Sequence, residues 1–535
     1  MTDFKQILDS GESEHLEAKS AKGGFPDSLW ETYSAFANSD GGTILLGVEE
    51  SNGKLFVNQG LADAQKMKST FWNMVNNRQK ISHNIVLESG VYVAQIEGKD
   101  ILAIEVPRAE RTVRPVYKGT DPRTGTFRRY GDGDHLCSLE EVGAMLRDAS
   151  VSPLDAAPVK EVDLSALCID SVNGYRQMFR SANPNHLWTQ LENEIFLRRI
   201  KAVEMADDGK YHPTVAGLLM FGYEYEITRH FPLYFLDYQE DRQLIGVTRW
   251  KDRVVSSSGD WSGNLFDFML KILTKLQSDL KVPFVLKGIT RIDDTPIHRL
   301  VREAATNCLV HADYYGRQGV VISKSKDGFV FANPGGLRIS KKEAVSGGVS
   351  DPRNATLLKM FSFIRFGERA GSGLNGIMYV WNKVYHCSPT ITEKFDVERT
   401  ILTLPIGDRE PDINAMLELY DDYAEIIAPQ DGREKNDNNA GKGREENGND
   451  AGSREKNDKN AGNGREKNGS NVESREKILA LMEENPTITQ SELASAIHIS
   501  VKAVEKHLKK LREHGIIRRI GPDKGGRWEV LELGN

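Results

Sequence analysis

Residues 432–471 read GREKNDNNAGKGREENGNDAGSREKNDKNAGNGREKNGSN, an imperfect repeat built around Arg-Glu-Lys-Asn with almost no apolar side chain. Such a segment has nothing to bury and so cannot offset the entropy of ordering its backbone. Its many glycines and asparagines also work against a helix. Each unit is too short and too polar to stack as a solenoid. The repeat is therefore predicted to be a disordered tether dividing the 535-residue chain into a long body and a short C-terminal domain. At this length the chain exceeds one core, and three or four domains are predicted in all.

The short domain is the most readable part. A helix is predicted near 475–484. Thr489 begins the next one, with Glu492 three residues on as a capping box. Ser500 caps a third helix, whose Val504, Leu508 and Leu511 form one apolar stripe before the stop at Gly515. Two strands follow, near 516–520 and 528–531, around a Gly-Pro-Asp-Lys-Gly-Gly tip. This is the order of a winged helix-turn-helix, whose third helix enters the major groove. From Ser500 to His514 there are five Lys/Arg against two Asp/Glu, with Lys502, Lys506 and Lys509 on the outer face. In the wing, Arg518, Arg519, Lys524 and Arg527 are placed to reach phosphates. The formal net charge is −7, so DNA contact has to come from such local patches. The alternative is a solvated basic face, or a winged helix used only for protein contacts. The I-S-x-x-x-V-x-x-x-L-x-x-L core followed by G-I-I resembles the bacterial winged-helix family.

A second constellation lies upstream. Residues 302–313 are predicted helical, which puts Glu303, Asn307 and His311 on one face. A carboxylate and an amide one turn apart suit a general base and a magnesium ligand around a triphosphate. A strand through Phe331 ends in Asn333-Pro334-Gly335-Gly336, and a glycine-rich loop runs from Gly367 through Gly371 and Gly373. Glycines there let backbone N–H groups approach phosphate. The set resembles the divergent GHKL ATPase fold of RecG-related proteins. His212 to Gly222 (HPTVAGLLMFG) is similar to the middle region of the same group. The resemblance implies ATP with Mg²⁺, Glu303 as the base for hydrolysis and Asn307 as the metal ligand. His311, Gly335, Gly336, Gly371 and Gly373 would surround the nucleotide. Asn333 stands where that fold carries an adenine-reading Asp, and an amide can both donate and accept. No G-x-x-x-x-G-K-[ST] exists in the chain, which excludes a helicase motor.

The N-terminal cluster is Glu12-Ser13-Glu14-His15-Leu16-Glu17-Ala18-Lys19, followed by Ala35-Phe36-Ala37-Asn38-Ser39-Asp40-Gly41-Gly42, the buried strand of Gly42–Val48 and an arginine-bearing strand near 126–131. It resembles the Schlafen/AlbA-like domain over about the first 140 residues. Some Schlafen members cleave transfer RNA with three carboxylates. Carried over, these are Glu12, Glu17 and Glu49, which would bind Mg²⁺ or Mn²⁺ and activate water. Position 49 departs from that pattern, holding Glu where those nucleases use Asp. The same residues also fit a structural role, with Glu12 as a cap and Glu17 beside Lys19 on one side of a strand.

The predicted architecture is multidomain α/β (α+β). Residues 1–150 form the Schlafen/AlbA-like nucleic-acid module, 151–285 a middle α/β domain and 286–410 a GHKL-like α/β sandwich. A polar linker at 411–474 leads to the winged helix at 475–535. Four dispersed cysteines without a C-x-x-C pair predict free thiols in a reducing cytosol. The acidic N-terminus lacks an apolar stretch, so no signal peptide and no membrane partner are predicted. The predicted partner is DNA, with RNA or transfer RNA open at the N-terminal module and a homodimer or higher homo-oligomer as the assembly. The predicted function is a nucleotide-sensing transcription regulator in which ATP orders the loop at 367–373. The alternative is a metal-dependent Schlafen-type nuclease acting in anti-phage defence.

Overall fold

The computed structural model describes residues 11–241, 250–278, 280, 285–287, 290–292, 295–367, 373–406, 410–416 and 418–419, with scattered C-terminal positions at 482, 488–489, 492–493, 504, 508, 517–520 and 527–530. The chain divides into two compact units, Met1–Arg433 and Glu434–Asn535.

The first unit begins with a four-stranded sheet in the order Leu16–Lys19, Gly42–Leu46, Lys99–Val106, Val91–Ile96. The first pair is parallel and the others antiparallel. The connection between the parallel strands is the helix Leu29–Asn38, whose Trp30, Tyr33 and Phe36 are buried. The A-F-A-N run earns its place through polar atoms as well. Asn38 Nδ2 donates to Val116 O (2.7 Å) and Phe127 O (3.1 Å), while its Oδ1 accepts from Val116 N–H (2.9 Å). Ser34 accepts from Phe127 N–H at 2.9 Å. A buried amide with its groups paired in this way fixes the strand Phe127–Tyr130 against the helix. Gly41 then turns the chain with φ +78°, where an added Cβ would lie 2.9 Å from Val106 O.

Beyond residue 150 the chain builds a six-stranded sheet in the order Asp252–Val255, Leu236–Glu240, Val320–Ser325, Gly328–Pro334, Arg399–Pro405, Thr390–Lys394. Leu236–Glu240 and Val320–Ser325 run parallel, and every other pair is antiparallel. A single apolar core runs from Val159 to Leu419 and includes the helices Leu265–Gln277, Pro296–Val310 and Gly373–Tyr385. The boundary expected at 285 is therefore not a seam, because one sheet and one core take residues from both sides of it. The linker expected from 411 also starts later. Met416 and Leu419 are buried in the same core, and Asp412 N–H donates to Val384 O at 2.8 Å.

In the second unit the capping box is present. Thr489 N–H and Oγ1 reach Glu492 Oε2 at 2.8 and 2.9 Å, and Glu492 N–H returns to Thr489 Oγ1 at 3.3 Å. Met482, Leu493, Val504 and Leu508 are buried. The strands Ile517–Ile520 and Arg527–Val530 pair antiparallel, as expected for a wing. The repeat at 432–471 lies outside the described residues.

All four cysteines are unpaired. Among the described residues, no helix is long and apolar enough to cross a membrane.

Candidate functional site

The helix Pro296–Val310 carries the nucleotide-site candidates. Thr295 caps it and Pro296 starts it, which suits a position whose N–H has no helical partner. Leu300, Val301, Ala305 and Leu309 are buried in the core. That rotation aims Glu303 and Asn307 into a cleft lined also by His311, Asn333, Gly336 and Gly373. The cleft wall is mostly apolar, with Phe331, Ile339, Leu374 and Leu402. Glu303, Asn307, His311, Asn333, Gly336 and Gly373, all expected from sequence, thus meet in one cavity. Gly335 lies just behind it, with φ +90° and a position where a Cβ would meet Arg353 Nη1 at 2.7 Å.

Asn307 Nδ2 donates to Glu303 Oε1 at 3.1 Å. The described ends of the second glycine loop, Gly367 and Gly373, both lie against this helix, and Gly373 lies against the pair itself. A Cβ on Gly373 would lie 2.5 Å from Glu303 Oε1 and 3.2 Å from Asn307 Nδ2, and one on Gly367 would lie 3.0 Å from Thr306 Cγ2. Thr306 Oγ1 donates to Phe366 O at 2.6 Å, which ties the loop's start to the same helix. Gly371 lies outside the described residues.

His311 ends the helix, and its pKa is pushed down to about 4 by burial, with Arg353 and Arg338 adding to the effect. Its ring is therefore neutral at physiological pH, a hydrogen-bonding group and not a cation. Asn333 is buried, and its Nδ2 donates to Pro334 O at 3.2 Å. Thr400 stands opposite it on the neighbouring strand and also lines the cleft.

The first glycine turn is held carbonyl by carbonyl. Gly335 O accepts from Thr400 Oγ1 (2.8 Å), Gly336 O from Arg353 (3.0 Å), Leu337 O from Arg108 (2.7 Å) and Arg338 O from Arg114 (3.5 Å). Arg108 also forks onto Glu393 at 2.6 and 3.1 Å, and Glu393 accepts Leu337 N–H at 2.7 Å. Arg353 forks onto Asp148 at 2.8 and 2.7 Å. Sequence reasoning missed Arg108, Asp148, Arg353, Glu393 and Thr400.

The N-terminal carboxylates are arranged differently from the expectation. Glu17 sits with Oε1 on Lys19 (2.7 Å) and Oε2 on Arg129 (2.9 Å). Glu12 Oε1 accepts from Ala18 N–H at 3.0 Å. Its carboxyl is held above the ordinary value by burial, offset in part by that hydrogen bond and reinforced by Glu17 and Glu50. Glu49 instead pairs with Lys22 at 2.6 Å. The acid beside Glu12 is thus Glu50, because neighbours along the strand Glu49–Ser51 face opposite ways. Among the described residues, no group of three or more His, Cys, Asp or Glu is arranged to hold a metal ion. The arginine strand is likewise turned inward. Arg128 pairs with Glu398 at 2.9 Å and Arg129 with Asp134 at 2.9 Å, and both are buried, so neither adds positive charge to a surface.

Of the predicted DNA contacts, Ser500, Lys502, Lys506, Lys509 and Lys524 lie outside the described residues. Arg519 and Arg527 fall on the paired wing strands, opposite Trp528 and Ile520.

Four segments match family models. Residues 12–138 match "Schlafen, AlbA_2", 143–237 a domain of unknown function (DUF8451), 318–402 "Putative ATP-dependent DNA helicase recG C-terminal", and 473–518 "Winged helix-turn-helix DNA-binding". The chain carries a Schlafen AlbA_2 domain, a RecG C-terminal-like domain and a winged helix. The RecG-type match starts downstream of the Glu303 helix, so the placement of Glu303 and Asn307 in the cleft rests on geometry. Among solved structures, the chain is similar to the DIP2311 protein from Corynebacterium diphtheriae, at 17% identity over 96% of this chain and 91% of that one, with a TM-score of 0.39. It is also similar to the N-terminal domain of a "Putative ATP-dependent DNA Helicase RecG-related Protein" from Nitrosomonas europaea, at 28% identity over 26% of this chain and 91% of that one, with a TM-score of 0.19. None of the curated proteins matches the chain.

Proposed function

We propose that this protein is a nucleotide-responsive DNA-binding regulator of transcription, with ATP in the cleft beside the Glu303 helix and the winged helix on duplex DNA. The observation that carries the reading is the convergence of Glu303, Asn307, His311, Asn333, Gly336 of the first glycine turn and Gly373 on one largely apolar cavity. Apolar walls with a few fixed polar groups are the usual make-up of a small-molecule site. At Gly373 and Gly336 the missing Cβ lets Glu303 and Glu393 come close to the main chain, so the backbone beside the cleft and its polar groups are held together.

The donor set fits ATP and Mg²⁺. Asn333 uses its NH₂ on Pro334 O, which leaves its oxygen to accept from the amino group of adenine. Guanine would present an acceptor there. Asn307, with its NH₂ on Glu303, offers its oxygen to a hard cation, and Glu303 is the group to take a proton from an attacking water. Mg²⁺, when bound, would neutralise phosphate charge. The nuclease alternative has less to stand on, since both oxygens of Glu17 rest on cations and Glu49 is directed to Lys22.

Calorimetric titration of MgATP into the full chain tests the proposal. Saturable binding that weakens at least about tenfold in Asn307→Ala supports it, since tenfold corresponds to one lost polar contact. Equal binding by the variant, or preference for MgGTP, would sink it.

A further inference from the structure

The arginine junction described above links two parts of the first unit that the sequence presents as separate modules. Arg108 and Arg114 belong to the N-terminal AlbA_2 domain, and Asp148 ends the helix that directly follows it. Their targets are the backbone of the first glycine turn and Arg353, on the edge of the nucleotide cleft.

The contacts are unusually directed. Leu337 has its carbonyl on Arg108 and its N–H on Glu393, while Arg108 and Glu393 grip each other. Their side chains are only 8% and 5% exposed, so solvent screens the pair weakly. Gly336 is needed because a Cβ would lie 2.8 Å from Glu393 Oε1. A third link runs through Arg128, which holds Glu398, whose carbonyl accepts Gly335 N–H at 2.7 Å. Bidentate guanidinium–carboxylate pairs fix orientation as well as distance. The turn therefore keeps its shape only while the N-terminal domain keeps its own.

We infer that the N-terminal domain is a working part of the nucleotide site: Arg108 and the Asp148–Arg353 pair are positioning residues for the first glycine turn, and nucleotide occupancy and the state of the N-terminal domain are linked through them. The inference rests on the nucleotide reading above. Linkage of this kind is reciprocal, so whatever the N-terminal domain binds alters nucleotide affinity by the same factor. It also accounts for the inward-facing Arg128, whose charge serves the junction through Glu398.

The test uses the full chain and MgATP. Hydrogen exchange is followed with and without MgATP, and MgATP affinity is measured for wild type, Arg108→Lys, Arg108→Gln and the surface control Arg123→Ala. The expected result is altered exchange on MgATP binding in peptides spanning 106–116 and 139–148. Arg108→Gln should bind MgATP about tenfold more weakly, within the range of ordinary site-to-site coupling. Arg108→Lys, which keeps the charge but loses the fork, should fall between, and Arg123→Ala should match wild type. MgATP binding with no exchange change in either peptide would overturn the inference and leave the nucleotide reading intact. The exchange measurement on wild type decides this even if a variant fails to fold. Absence of MgATP binding by wild type would overturn both.

Discussion

Replacing Gly373 by alanine should separate ligand binding from stability. The added Cβ would lie 2.5 Å from Glu303 Oε1, against an ordinary contact of 3.4–4 Å. The carboxylate oxygen must retreat by on the order of 1 Å, which the end of a Glu side chain can do by rotating. The retreat breaks the 3.1 Å Asn307–Glu303 hydrogen bond, a loss of about 1 kcal/mol. Gly373 opens the helix Gly373–Tyr385, where alanine contributes roughly 0.5–1 kcal/mol over glycine. The two terms nearly cancel, so the urea midpoint should stay close to that of wild type. The pair proposed to meet the nucleotide and its metal would nevertheless be displaced. MgATP affinity should fall about tenfold or more, because a 1 Å misplacement in a preorganised site is costly. Calorimetry and urea denaturation on the same preparations read both quantities. Unchanged affinity with unchanged stability would refute the assignment of this cleft.

Asp155 is fully buried and accepts the N–H groups of Thr356 and Leu357 at 2.8 and 2.9 Å, so Asp155→Ala should cost about 2–3 kcal/mol in urea denaturation by stranding both donors. His311 is held neutral, with its pKa lowered from 6.5 to about 4. Its contribution is full above pH 6.5 and is lost as pH falls through 4, by at most about 3 kcal/mol. Denaturation at pH 7 and pH 4.5 should show a smaller difference in His311→Gln. Lys506→Ala should weaken binding to all duplex sequences alike and reduce the salt slope by about 1, as measured by titration at several salt concentrations.

What could be read from the sequence was local. The Thr489–Glu492 capping box follows from a three-residue spacing, and the shared face of Glu303 and Asn307 from a four-residue one. The Glu17–Lys19 pair follows from strand alternation. What escaped depended on partners far away in the chain. Arg353 meets Asp148 and Arg108 meets Glu393 across hundreds of residues, and nothing near Arg353 or Glu393 distinguishes them from surface charges. The strand Leu236–Glu240 joins the six-stranded sheet beside Val320–Ser325, a non-local parallel pairing that erased the expected boundary at 285. The exchange of Glu49 for Glu50 reflects one residue of strand alternation, which a motif match cannot fix.

A nucleotide in the cleft is proposed to change how the protein holds DNA. The most direct measurement is fluorescence anisotropy of labelled duplex DNA titrated with the full chain, with and without saturating MgATP, at fixed salt. MgATP should shift the dissociation constant at least about fivefold, the lower end of ordinary site-to-site coupling, and the shift should disappear in Asn307→Ala. Duplex binding that is the same with and without MgATP, in a protein shown to bind MgATP, would contradict it.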